Sequence, residues 1–131
     1  EGRSGAVEEL LARGANVDVK KIVAILHAAL SSGHSETALG LLERVDLESD
    51  EWDSSTPLHW AAWGGYSETV ELLVSGTVLN VDAKDREGQT ALMKASLAGH
   101  TRTVQALIDL SADIDAKDKL GETSLHKAVR Q

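Results

Sequence analysis

The chain has 131 residues, 42% of them hydrophobic, with a formal net charge of −8 and no cysteine. That length and apolar content suffice for one compact unit, and the missing cysteines exclude a disulfide framework or a thiolate metal site. Excess carboxylate opposes binding to a phosphate backbone; with no apolar run long enough to span a bilayer and no basic-then-apolar leader, we expect no nucleic acid and no membrane as partner, and a cytoplasmic or nuclear location.

In chain order, Ala6, Val7, Leu10 and Leu11 are spaced for one face of a short helix that should stop at Gly14. From Ala24 a helix, turn and second helix are expected, with His34-Ser35-Glu36-Thr37 matching the later Tyr66-Ser67-Glu68-Thr69. The fullest copy runs from Ser54 to Gly76 and opens with Thr56-Pro57-Leu58-His59. There Thr56 can cap a helix and Pro57 can occupy its first turn, where no N–H is needed. Ala61 and Ala62 allow close helix contact, Gly64 and Gly65 permit a tight turn, and Val70, Leu73 and Val74 seal a second helix. Further copies begin at Thr90-Ala91-Leu92-Met93 and Thr123-Ser124-Leu125-His126, joined by the similar linkers 81–85 and 114–118.

The equivalent leucines Leu26, Leu58, Leu92 and Leu125 are 32, 34 and 33 residues apart. A period of about 33 residues that opens with Thr-Pro-Leu-His and continues as two helices resembles the ankyrin repeat family. The resemblance covers nearly the whole chain and implies an all-α solenoid of stacked helix-turn-helix units joined by finger-like hairpin loops. We expect a single domain over 1–131: a partial repeat 1–18, repeats at about 19–50, 51–83 and 84–116, and a partial repeat 117–131. Such units bury too little alone and gain stability by stacking.

Departures from the pattern are informative. The connector between Asp18 and Leu26 is two residues short, and Ile22 and Val23 stand where Gly88 and Gln89 stand later. Either that finger is rebuilt or residues are missing there. Residues 45–55 are irregular and acidic. The sequence opens within a repeat and closes after a first helix, so a piece of a longer array or larger protein is expected, with Leu10, Leu11, Leu125 and Val129 short of a neighbour on one side.

All five histidines fall on repeat positions. His27, His59 and His126 take the last place of the motif, where the resemblance implies a ring tethering neighbouring backbone; His34 and His100 follow turn glycines. No His-Glu-x-x-His spacing, no Gly-x-Ser-x-Gly and no phosphate-cradling Gly-rich loop occurs. The expectation is therefore no enzyme, no cofactor and no metal.

Comparing copies within the chain separates framework from variable columns. One finger-tip column reads Lys20, Trp52, Arg86 and Lys119. Two on the first helices read Ala28, Trp60, Lys94, Lys127 and Ser31, Trp63, Leu97, Arg130. All three tryptophans stand where sister copies carry charge, which argues for exposure, although one or two folding over the irregular 45–55 connector would be an ordinary alternative. In ankyrin arrays the fingers and first helices line a concave binding surface, and the resemblance implies the same here. The expected partner-binding residues are Trp52, Trp60, Trp63, Arg86, Gln89, Lys94 and Leu97, with Arg86, Lys94 and Lys127 flanking an aromatic patch and an acidic back formed by Glu68, Glu71, Asp109 and their equivalents. A protein or peptide partner is the leading expectation. A small-molecule or catalytic site around Trp60, Trp63 and His59, or a spacer role within a larger protein, are the alternatives.

Overall fold

The computed structural model describes residues 19–33, 38, 40, 56–76 and 79–130. They form six helices and no strand: α1 (Val19–Ser31), α2 (Pro57–Gly64), α3 (Ser67–Gly76), α4 (Ala91–Ala98), α5 (Thr101–Asp109) and α6 (Ser124–Val129). Helices α1, α2, α4 and α6 stack in chain order as one layer, while α3 and α5 form a second layer, each packed on the helix that precedes it. This is the expected all-α array of stacked helix-turn-helix units.

Small residues bring the layers together. Ala61, Ala62, Ala91 and Ala95 are fully buried beside Leu26, Leu58, Leu73, Leu92 and Leu107. Alanine lets backbones approach, and the leucines supply the apolar area whose removal from water drives stacking. Glu68, Glu71 and Asp109 are exposed on the second layer.

The first helices α2, α4 and α6 each begin on a threonine. Thr90 Oγ1 accepts the Met93 N–H, whereas at Thr56 and Thr123 a histidine three residues on joins the cap: the threonine N–H donates to Nδ1 of His59 at 3.2 Å and of His126 at 3.1 Å. The short helices stop where Gly65 and Gly99 turn left-handed, and the backbone N–H groups of the turn return to the last carbonyls. A Cβ on Gly65, at φ +75°, would lie 2.7 Å from the His100 ring; one on Gly33, at φ +78°, would meet open space. Gly33→Ala should therefore cost only the left-handed backbone penalty, about 1–2 kcal/mol. Gly65→Ala should cost more, because His100 must also leave the Trp63 carbonyl it contacts at 3.0 Å. Urea unfolding of both variants checks the order.

The departure at 18–26 has a structural outcome. Lys20 to Leu26 lie within α1, which runs 13 residues where α2 and α4 run eight. This stretch forms a helical extension of α1, and Ile22 and Val23 are buried in the core cluster. His27 consequently lies in mid-helix, where no free threonine N–H awaits it. Instead of tethering backbone, as expected, it stacks on Tyr66 with ring centroids 3.9 Å apart.

At the far end Leu125 and Val129 are exposed, as the repeat register implied. Leu10, Leu11, His34, Trp52 and the 45–55 connector lie outside the described residues.

Candidate functional site

Two fingers are described, and each is organised by one aspartate. Asp85 Oδ1 accepts the N–H groups of Glu87 and Gln89, both at 2.9 Å, and its own N–H donates to the Gln89 carbonyl. Asp118 repeats the arrangement with Leu120 and Glu122. Neighbouring fingers are joined by Lys119 N–H to the Glu87 carbonyl and by Lys84 Nζ to the Lys117 carbonyl.

The second carboxylate oxygen of each aspartate reaches the following first helix. Asp85 Oδ2 is 3.0 Å from Lys94 Nζ, and Asp118 Oδ2 is 2.7 Å from Lys127 Nζ. Burial alone would raise the Asp85 carboxyl, but the Gln89 N–H and the Lys94 ammonium outweigh it and hold it below the ordinary carboxylate value. Lys127, followed by the Glu122 N–H, draws Asp118 down to about 2, and Asp118 in turn raises Lys127.

Lys127 corrects an expectation. It was placed beside the partner-binding patch, yet it is only 2% exposed. Asp118 and Glu122 converge on its ammonium, Glu122 also binds Arg130, and the cation is spent inside the repeat. These aspartate roles were missed in the sequence, although a signal was present: each lysine follows its aspartate by nine residues, in register.

His59 is equally committed. With Thr56 N–H donating to Nδ1, the imidazole proton sits on Nε2 and is donated to the Gln89 carbonyl at 2.9 Å, linking one repeat to the next finger. The ring is 2% exposed, and burial pushes its pKa below the usual imidazole value. His126 repeats the contact with Thr123 but is exposed.

Between α2 and α4 lies a groove of about 340 Å³ lined by His59, Trp60, Trp63, Lys94 and Leu97. Four expected partner-binding residues are thus brought together. Trp63 is 46% exposed, and Trp60, Lys94 and Leu97 are half-buried. Trp60 packs against the core as well, so part of its area belongs to the scaffold. Arg86 is exposed on its finger, and Gln89 is half-buried with its carbonyl taken by His59; neither lines the groove.

A larger cleft, about 440 Å³, lies at the helix turns between His27, Tyr66, Gly65 and His100. Several of its groups are used internally: His27 stacks on Tyr66, His100 contacts the Trp63 carbonyl, and the Ser67 and Thr103 hydroxyls bond each other at 2.9 Å. Among the described residues no group of His, Asp and Glu is placed to hold a metal ion, and no helix is long and apolar enough to cross a membrane.

Comparison with known proteins agrees with this architecture. The chain is 34% identical over 117 residues to transient receptor potential cation channel subfamily A member 1 of Homo sapiens, which covers 83% of this chain and 10% of that protein. It is 35% identical over 96 residues to the mitochondrial liver isoform of glutaminase from Rattus norvegicus, covering 73% of the chain and 16% of the relative. Identity is also 35% over 75 residues to the 26S proteasome non-ATPase regulatory subunit 10 of Dictyostelium discoideum, covering 56% and 32%. The chain spans a third or less of each of these relatives. The family described as ankyrin repeats, in three copies, matches residues 1–85 and 77–131. Repeats of this kind generally mediate protein–protein interaction and are typically not enzymes. With the two helical layers, the stacked fingers and the threonine-capped first helices in the same register, the chain belongs to the ankyrin repeat family.

Proposed function

We propose that this chain is a non-enzymatic interaction module that holds a partner protein or peptide on the face formed by its fingers and first helices. The observation that carries the reading is the groove between α2 and α4, in which the exposed Trp63 stands beside Trp60 and Leu97. Exposed aromatic area of this kind is costly in water, and tryptophan dominates many interfaces once a partner covers it. The stacked repeats present the groove preformed, so little ordering entropy opposes association.

The alternative of a catalytic or small-molecule site around Trp60, Trp63 and His59 loses its chemical group. Both ring nitrogens of His59 are engaged, and the Lys94 ammonium is held by Asp85. A spacer role predicts that substitutions in the groove are silent.

Trp63→Ala decides among these. We expect an unchanged thermal melt, since the side chain is half in solvent, and a loss of at least about 2 kcal/mol in partner affinity, roughly thirtyfold. Pull-downs with wild-type chain and variant, followed by titration of the captured protein, measure it. Empty wild-type pull-downs together with a small molecule that raises the melting temperature would point instead to the ligand site.

A further inference from the structure

The repeats provide their own reference for what the groove lacks. In the fourth copy the Lys127 ammonium is held by two carboxylates, Asp118 at 2.7 Å and Glu122 at 3.2 Å, and the lysine side chain is 3% exposed. In the third copy the same column carries Lys94, which lines the groove. Among the described residues its ammonium has one carboxylate partner, Asp85 at 3.0 Å, and its side chain is 23% exposed. The second carboxylate is missing because the position four residues after the finger aspartate, Glu122 in the fourth copy, is the neutral Gln89 in the third. An ammonium carries three donors, so one aspartate does not saturate it.

Resting on the interaction reading above, we propose that the groove receives a peptide bearing an aspartate or glutamate, whose carboxylate takes the place beside Lys94 that Glu122 fills beside Lys127. Three features favour this chemistry. The Lys94 ammonium and the Trp63 indole N–H are donors without acceptor capacity, and no carboxylate is among the described residues that line the groove, so an incoming acid meets complementary groups. Glu122 also binds Arg130, but that column holds Leu97 in the third copy and Trp63 in the second. The ligand's carboxylate therefore has apolar surface beside it, which a neighbouring large apolar side chain of the same peptide covers; excluding water there strengthens the ion pair. Glu68, Glu71 and Asp109, which contribute to the chain's net negative charge, are exposed on the second layer. Across a helix layer of about 8–10 Å such charges are largely screened at physiological salt.

The test is selection of a phage-displayed library of random twelve-residue peptides on the wild-type chain, with counter-selection on Trp63→Ala. We expect the enriched peptides to share an aspartate or glutamate next to a large apolar residue. Replacing that acid by its amide in a synthetic peptide should weaken binding to the wild-type chain about tenfold, read by fluorescence polarisation of the labelled peptide. Gln89→Glu, which supplies the second carboxylate from within the chain, should weaken binding of the acidic peptide by a similar factor without lowering the melting temperature. Peptides that depend on Trp63 but share no acid, an acid that can be amidated without loss, or an acidic peptide that binds Gln89→Glu as tightly as wild type would overturn the acidic-ligand proposal and leave the interaction reading standing. A library with no preference for wild type over Trp63→Ala would overturn both.

Discussion

Leu92→Ala should lower the unfolding free energy by about 2–5 kcal/mol, the range for emptying a packed leucine site. Leu92 is 2% exposed on α4, which packs between α2 and α6 and against α5. Few directions remain from which neighbours can relax into the space. The same substitution at Leu125 supplies the control. Leu125 holds the same motif position, yet it is 73% exposed, and Leu125→Ala should change stability by no more than about 0.5 kcal/mol. Urea unfolding followed by far-UV circular dichroism measures both. Equal losses would show that stability follows motif position rather than burial, against the stacking argument. The central repeat also joins the described ends of the array, so Leu92→Ala should broaden the transition, as expected when nearest-neighbour coupling in a solenoid is weakened.

The second large effect centres on His59. His59→Ala leaves the Gln89 carbonyl and the Thr56 N–H without their imidazole partners, at a cost of about 1–3 kcal/mol. It should also change the pH dependence. Because burial depresses the folded-state pKa below 6.5, the unfolded chain binds more protons than the folded one between those two values. The stabilisation is therefore complete above pH 6.5 and is lost as pH falls through the folded value. Protonation places a second N–H on the ring, facing the Thr56 N–H that Nδ1 must accept. Melting temperatures at pH 7.5 and 5.5 should fall further on acidification for wild type than for His59→Ala. An unchanged difference between the two pH values would place the acid sensitivity elsewhere.

Much of the site was legible because repeats allow comparison inside one sequence. Trp60, Trp63, Lys94 and Leu97 were singled out by column alone, and the structure gathers them around one groove. Lys127 was misplaced for a physical reason: a column shows that chemistry varies, not whether a neighbouring loop supplies countercharges. Asp118 and Glu122 do so, and they draw the ammonium inside. His27 was misjudged similarly, since its leucine neighbour obeyed the period while the extension of α1 removed the helix start that gives the ring its backbone partner.

The sequence by itself determined the family, the all-α class, the helix starts at Thr56, Thr90 and Thr123 and the buried leucines. Those properties follow from local chemistry repeated in phase: a capping hydroxyl, a left-handed glycine, an apolar spacing. Only the tertiary structure decided that His59 ties its repeat to Gln89, that Asp85 and Asp118 both shape a finger and hold a lysine, and that Trp63 rather than Lys127 remains in solvent. These are contacts between copies or between a finger and the next helix, and their outcome rests on which groups exclude water from one another, which no single period of the sequence encodes.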